Sequence, residues 1–178
     1  MLEADEISRE LFRNFERHQV VEDCWRRENG EWVIRKDPFT DQWSEEDYAF
    51  LVTCLQRTVR TGGVLFAAFA DRQLKGFVSV EPELFGKNRE YMDLSSLHVS
   101  EELRGRGIGR KLLYLAADWA KKQGAGKLYL STHSAVETQA FYRAMGCREA
   151  MEYHRGHVEA EPYDIQMELE LSAVVNNN

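Results

Sequence analysis

Apolar and polar positions follow two periods along the chain, one typical of helices and one typical of strands. Apolar residues at helical spacing, or a polar cap before acidic residues, predict helices over residues 4–18, 44–60, 108–122 and 134–145. Short apolar runs between turn residues predict strands over residues 20–27, 31–36, 64–70, 76–80, 91–99, 127–131, 148–154 and 163–171. This order predicts an α+β fold in which helices cover the faces of a mixed sheet.

Turn and capping residues indicate where several of these elements begin and end. Asn29 and Gly30 both tolerate a positive φ, so they predict a hairpin between the first two strands. Ser44 precedes a run of acidic residues and predicts the N-cap of the second helix. Ser134 and Glu137 have the spacing of a capping box, which predicts that the last helix begins at Ser134.

The length of 178 residues fits a single domain, which we divide into three parts. Residues 1–30 are predicted to form an N-terminal helix and hairpin arm packed on the core, and residues 31–171 the core itself. Residues 172–178 are predicted to be a flexible tail. Hydrophobic residues make up 43% of the chain and charged residues 30%, a balance that excludes a wholly disordered protein.

Charge, hydropathy and cysteine content narrow the classes of partner. Thirty acidic and 23 basic side chains give a net charge of −7, and an acidic surface repels nucleic acid. The longest apolar run, residues 64–70, is far shorter than the roughly 20 residues of a membrane-spanning helix. The N-terminus lacks the order of a signal peptide, and three widely spaced cysteines fit reduced thiols. We therefore expect a cytoplasmic protein without nucleic acid or membrane partners.

A glycine-rich turn lies between the strand that ends at Val99 and the helix over residues 108–122. The turn and the helix start contain Arg104, Gly105, Arg106, Gly107, Ile108, Gly109 and Arg110. Glycines allow a ligand to approach the backbone closely, and free N–H groups at a helix start attract anions. With the arginines, this pattern predicts phosphate or pyrophosphate binding, and a turn that only joins strand to helix is the alternative.

The spacing of the glycines argues against two common nucleotide sites. A dinucleotide fingerprint that starts at Gly105 requires glycine at its sixth position, where the chain has Arg110. A Walker loop requires Gly-Lys followed by Ser or Thr, and the chain contains no such sequence. A nucleotide-phosphate binder with a similar loop is therefore disfavoured.

The pattern Arg104-x-x-Gly107-x-Gly109, between an apolar strand and an amphipathic helix, resembles the acyl-CoA pyrophosphate loop of the GNAT superfamily of N-acetyltransferases. The resemblance covers about residues 31–171 and implies a mixed, mostly antiparallel central sheet flanked by helices. It implies acetyl-CoA as cosubstrate, with the pyrophosphate held by Gly105–Arg110 and Arg104. The backbone of Leu97, His98 and Val99 would pair with the pantetheine arm. Ser134 lies where the family often has an asparagine that touches this arm.

The same resemblance implies roles for three further residues. Tyr142 precedes Gly146 by four residues, the spacing at which family members have a tyrosine that protonates the leaving thiolate. Asp93 lies six residues before Val99, where several members have a carboxylate that acts as base through water. Glu81, on the preceding strand, is the second base candidate if the two strands pair. From the residues alone, a half-buried tyrosine and solvated carboxylates remain the alternatives.

Weaker candidates complete the inventory. His133 follows a strand near the expected acceptor entrance and is a second-rank base candidate. His154 and His157, with Cys147, lack a second ligand pair at metal spacing, so we expect no metal site. Acidic residues that flank Pro162, in the connection between the last two strands, could face an acceptor or could form a solvated loop: Glu159, Glu161 and Asp164.

The reaction implied by the resemblance is direct transfer of an acetyl group from acetyl-CoA to an amine of a small molecule or peptide. If the acidic residues converge, cationic amines should be preferred over anionic acceptors. A non-catalytic CoA-binding sensor or regulatory module of the same fold is the alternative. The resemblance also implies a homodimer.

Overall fold

The computed structural model describes residues 1–172, so all of the predicted tail except Ser172 lies outside the described residues. Its strands are β1 (His18–Glu28), β2 (Glu31–Gln42), β3 (Val64–Ala70), β4 (Gln73–Val80), β5 (Leu84–Phe85), β6 (Tyr91–Asp93), β7 (Ser96–Val99), β8 (Lys127–Thr132), β9 (Arg148–Glu149) and β10 (Ile165–Glu170). Its α-helices are α1 (Glu45–Arg60), α2 (Ile108–Lys122), α3 (Val136–Ala144) and α4 (Arg155–Ala160).

The strands form three sheets that are largely antiparallel. Strands β1 and β2 form a separate hairpin, β3-β4-β7 form a second sheet, and β5-β6-β8-β10-β9 form the third. Within the described part of the chain, the pairing of β6 with β8 is parallel and the other ladders are antiparallel. The predicted α+β fold with a mixed, mostly antiparallel sheet is confirmed.

Helices α2 and α1 cover opposite faces of the sheet. Val78 of β4 belongs to one buried cluster with Leu113 of α2, whereas the adjacent Phe77 belongs to a second cluster with Leu55 of α1. Successive side chains of a strand point to opposite faces, so each helix covers one of them. No helix within residues 1–172 combines the length and the apolar character needed to cross a membrane.

The N-terminal segment differs from the prediction. Instead of a helix over residues 4–18, the structure has one turn of 3₁₀ helix at Glu10–Phe12. Ile7, Phe12 and Phe15 are buried against the α1 face, and both phenylalanine rings pack on Phe77. Tertiary packing of these side chains therefore overrides their helical spacing. The predicted hairpin is confirmed, with positive φ at Asn29 and Gly30.

The predicted strand over residues 91–99 is divided into β6 and β7, which belong to different sheets. The break lies at Leu94 and Ser95. Leu94 donates its N–H to the carbonyl of Tyr129 on β8 (2.9 Å), whereas Ser95 donates to Ser79 on β4 (3.1 Å). Beyond this point β7 pairs with β4 and β8 pairs with β10. The two strands diverge, and a cleft opens between them.

The C-terminal part also contains two differences. The predicted strand over residues 148–154 shortens to β9, and the connection to β10 contains α4, which was not predicted. Helix α3 begins at Val136 rather than at Ser134. The predicted capping box is absent because Ser134 Oγ accepts a hydrogen bond from Arg26 Nη1 of the hairpin (2.7 Å). The N-cap predicted at Ser44 is confirmed and forms a capping box with Asp47.

Candidate active site

The divergence of β7 and β8 opens a cavity of about 1210 Å³. Its walls come from the N-terminal arm, β7, the glycine-rich turn, the end of β8 and α3. They contain ten of the predicted cofactor-binding residues: Leu97, His98, Val99, Arg104, Gly105, Arg106, Gly107, Ile108, Gly109 and Arg110. Tyr142 lines the same cavity. Residues predicted separately from a strand, a turn and a helix therefore share one cleft.

The glycine-rich turn forms the basic end of the cleft. Gly105 and Gly107 have φ values of 76° and 79°, a conformation that side chains strain, and no heavy atom lies within 4 Å of a Cβ placed on either. Gly107 is the N-cap of α2 and offers no side chain to its first N–H groups. These donors, with Arg106 and Arg110 in the wall, are arranged to bind an anion.

Strand β7 presents a backbone edge to the cleft. Its other edge is paired with β4, where Gly76 lies opposite Val99 and Val78 opposite Leu97. Within the described residues, no strand pairs with the edge that faces β8. Unpaired backbone donors and acceptors in a cleft can bind an extended amide-containing chain as a further strand would.

Tyr142 combines a buried ring with a free hydroxyl group. Its side chain packs edge-on against Phe141, with ring centroids 5.1 Å apart, and the residue is 8% exposed. The hydroxyl forms no hydrogen bond to another residue in the described part of the chain. Burial raises the pKa of Tyr142 above its usual value, so the phenol keeps its proton and can donate it.

Asp93 is not among the residues that line the cleft, and its side chain contacts helix α4. Its Oδ2 is 2.7 Å from His157 Nε2, and this hydrogen bond raises the pKa of His157. Its Oδ1 is buried and has no hydrogen-bond partner among residues 1–172. The structure therefore places Asp93 in a pair with a histidine, a contact that the sequence pattern did not indicate.

Glu81 borders a different cavity. It accepts a hydrogen bond from Thr58 Oγ1 (2.6 Å) and lines a cavity of about 310 Å³ beside α1, together with Trp43 and Phe50. Ser95 borders both cavities, so the smaller one adjoins the break between β6 and β7.

The two histidines in the cleft wall are poor proton acceptors. His98 packs against Trp43 and Phe77, and burial, with the nearby Arg17, lowers the pKa of His98 to about 3. His133 Nδ1 accepts the N–H of Ala135 (3.2 Å), so the neutral ring carries its proton on Nε2 and has no free lone pair.

Several polar side chains in the cleft were not predicted as site residues, and Ser131 and Arg17 are two of them. Ser131 of β8 lines the cavity, and its hydroxyl donates to Asp164 Oδ2 (3.2 Å). Arg17 also lines the cavity and forms a salt bridge with Asp41. Neither Ser131 nor Arg17 belongs to a recognisable motif, so no local signal marked them. Ser134, predicted to contact the cofactor, is buried outside the lining and bonds to the hairpin.

The split sheet, with a glycine-rich helix start and a buried tyrosine in one cleft, is the arrangement of an acyltransferase fold. The sequence model of the acetyltransferase (GNAT) family matches residues 18–147, and the chain belongs to this family. The family inferred from the glycine-rich turn is thereby confirmed.

A curated relative, streptothricin acetyltransferase of Streptomyces lavendulae, is 36% identical over 81 residues, which are 45% of this chain and 41% of that protein. The chain spans about half the length of the curated relatives it matches.

Two solved structures have the same fold over most of their length. Nourseothricin acetyltransferase has a TM-score of 0.64 at 21% identity, covering 91% of this chain and 92% of that one. A protein of Bacillus anthracis str. Ames, assigned as a streptothricin acetyltransferase and solved with acetyl coenzyme A, has a TM-score of 0.71 at 16% identity. The match covers 95% of each chain, and at these identities it concerns the fold alone.

Proposed function

We propose that the protein is an N-acetyltransferase that moves an acetyl group directly from acetyl-CoA to an amine of a small molecule or peptide. The observation that carries the proposal is the single cleft that joins an anion-binding turn, an unpaired strand edge and the hydroxyl of Tyr142. A phosphorylated, amide-containing thioester has a charged part, amides and a sulfur that suit these three features.

Each part of the cleft has a role in this proposal. Gly105–Arg110 and Arg104 hold the pyrophosphate, and the backbone of Leu97–Val99 pairs with the amides of the arm. The bound cosubstrate supplies an activated acetyl thioester. A backbone N–H near Val99 polarises the thioester carbonyl, and Tyr142 donates a proton to the leaving sulfur. Asp93 and Glu81 remain predicted bases, acting through water.

We propose a cationic primary amine as the acceptor, with streptothricin-class antibiotics as the first candidates. Asp164 and Glu161 lie close to one another, and Asp164 is hydrogen-bonded to Ser131 of the cleft wall. Glu81 and Asp47 line the adjoining cavity with two aromatic rings. Arg57 also lines that cavity. Glu159 contributes less to this charge because it pairs with Arg155. The names of the relatives, which include an aminoglycoside 6'-N-acetyltransferase, support the same class of acceptor.

The proposal is tested by measuring thiol release from acetyl-CoA with a panel of amines. The panel contains streptothricin, an aminoglycoside, a polyamine and the anionic amino acid glutamate. We expect turnover with at least one cationic amine and none with glutamate. Turnover of glutamate alone would overturn the acceptor assignment. Calorimetric binding of acetyl-CoA without turnover of any amine would favour the non-catalytic alternative.

A further inference from the structure

A directional chain of hydrogen bonds passes through Ser131 of the cleft wall and ends at a carboxylate. The N–H of His154 donates to Tyr129 Oη (2.8 Å), and the Tyr129 hydroxyl donates to Gln166 Oε1 (2.5 Å). Gln166 Nε2 then donates to Ser131 Oγ (3.0 Å), and the Ser131 hydroxyl donates to Asp164 Oδ2 (3.2 Å). We propose that Ser131 and Asp164 together remove the proton of the acceptor amine, an inference that rests on the proposed acetyltransferase function.

The direction of each hydrogen bond is fixed because the N–H of His154 and the amide nitrogen of Gln166 can only donate, and the inner members of the chain are buried. Tyr129 is 0% exposed and Gln166 is 2% exposed. Burial raises the pKa of Tyr129 to about 12, so its phenol remains a donor. Since Gln166 donates to Ser131, the serine hydroxyl must direct its own proton to Asp164. A serine oxygen has two acceptor positions, and Gln166 occupies one of them.

Ser131, whose second acceptor position is not used in this chain, is itself part of the cleft wall. Ser131 lines the same cavity as Tyr142 and Leu97. Asp164 is close enough to Tyr142 for its charge to contribute to the raised pKa of that phenol. An amine bound beside Ser131 would therefore lie between the proton acceptor and the proposed proton donor of the reaction.

The charges around Asp164 suit a group that takes up a proton near neutral pH. Glu161 of the same loop disfavours its ionised form, whereas His157 of α4 and the hydroxyl of Ser131 on β8 favour it. Burial is the largest influence and raises the pKa of Asp164 to about 6. The carboxylate is ionised at pH 7 and still basic enough to accept a proton efficiently.

The predicted bases have other partners. Asp93 is paired with His157, and Glu81 is bonded to Thr58 at the adjoining cavity. Asp164, in contrast, is hydrogen-bonded to Ser131, whose side chain lines the cleft.

The proposed step balances in protons and electrons. The ammonium form of the acceptor gives one proton to Ser131 Oγ while the serine proton passes to Asp164. The neutral nitrogen attacks the thioester carbon, a C–N bond forms, and the C–S bond breaks. Tyr142 protonates the thiolate and regains a proton from the nitrogen. Asp164 then releases its proton to solvent, so the products are the amide, the thiol and one proton.

The test is the pH dependence of kcat/KM for the best amine of the panel, measured for the full chain and single variants. For the wild-type protein we expect kcat/KM to rise with pH through about 6 and then to level off. Asp164→Asn should lack this rise and be about 10²-fold slower or more at pH 7. For this variant, kcat/KM should continue to rise until the pH reaches the pKa of the amine, because only the free amine then reacts. Ser131→Ala should show part of the loss, since water can replace the hydroxyl.

Two further variants separate chemistry from folding. Asp164→Glu keeps a titrating carboxylate and should retain a rise near neutral pH. Glu10→Gln removes an exposed carboxylate that pairs with Arg13 at the N-terminal 3₁₀ turn and lies outside both cavities, and it should behave as the wild type. Melting temperatures identify any variant that does not fold.

Each outcome supports or overturns the assignment. An Asp164→Asn variant that keeps the wild-type pH profile, or loses rate equally at every pH, would overturn it. A loss of the rise in Asp93→Asn or Glu81→Gln, but not in Asp164→Asn, would assign the base to that residue instead. If the wild-type protein binds acetyl-CoA but acetylates no amine, the proposed function itself fails, and this inference fails with it.

Discussion

At the scale of single residues, Tyr142 has a ring that packs in the protein and a hydroxyl group that is available for catalysis. Its ring is buried beside Phe141, while its hydroxyl has no hydrogen-bond partner within residues 1–172. In the proposed reaction, negative charge develops on the sulfur late. A donor at that atom stabilises the transition state more than the bound substrates.

We expect Tyr142→Phe to lower kcat by about 10²–10⁴-fold, with little change in the melting temperature or in the affinity for acetyl-CoA. Steady-state kinetics and calorimetry measure these quantities. Tyr114→Phe is the matched control, because Tyr114 is an exposed tyrosine on α2. A Tyr142→Phe variant with normal kcat would show that this tyrosine only packs, and that water or another group protonates the sulfur.

The resemblance to the GNAT family selected Tyr142 as a candidate, but it did not select Asp164 and Ser131 as a pair. Tyr142 lies four residues before Gly146, the glycine that follows the end of α3, and this spacing is visible in the sequence. Ser131 and Asp164 are 33 residues apart in sequence. They meet because β10 pairs antiparallel with β8, where Ile165 lies opposite Thr132. The register of that ladder cannot be derived from either segment alone.

At the scale of elements, the glycine-rich turn shows how one helix start can be built for a ligand. Gly107 and Gly124 flank α2, both have a positive φ, and neither has a heavy atom within 4 Å of an added Cβ. They differ in position, since Gly107 lines the cleft and Gly124 follows the other end of the helix.

We expect Gly107→Ala and Gly124→Ala to lower the free energy of unfolding by similar amounts, about 1–2 kcal/mol each, because a side chain strains this backbone conformation. Only Gly107→Ala should weaken the binding of acetyl-CoA, since its added methyl group enters the anion-binding end of the cleft. Urea denaturation and calorimetry measure the two effects. Equal acetyl-CoA affinity in both variants would remove the turn from the proposed binding site.

The elements with local signals were predicted well. Helix α1 has a capping box, helix α2 has amphipathic spacing, and the β1–β2 hairpin has its Asn-Gly turn. The division of the strand over residues 91–99 has no such signal, because it depends on which neighbour each backbone N–H meets. Residues 4–18 have a local helical spacing, but packing of their apolar side chains against β4 overrides it.

At the scale of the whole molecule, one buried carboxylate joins four strands of the five-stranded sheet. Glu168 of β10 is 0% exposed. It accepts hydrogen bonds from Tyr91 Oη of β6 (2.5 Å), Arg148 Nε of β9 (2.9 Å) and the N–H of Met151 (3.1 Å). Lys127 of β8 lies 3.5 Å away. The sheet that carries Ser131 therefore depends on a charge in its interior.

We expect Glu168→Ala to lower the free energy of unfolding by about 3–5 kcal/mol, because Lys127 and the Tyr91 hydroxyl lose a buried partner. Urea denaturation measures this loss. Glu170→Ala is the control, since Glu170 lies on the same strand and pairs with Arg148 near the surface, and should cost no more than about 1 kcal/mol. Because neither residue lines the cleft, kcat per folded molecule should be unchanged in both variants. Similar losses of stability in the two variants would show that Glu168 does not hold the sheet together.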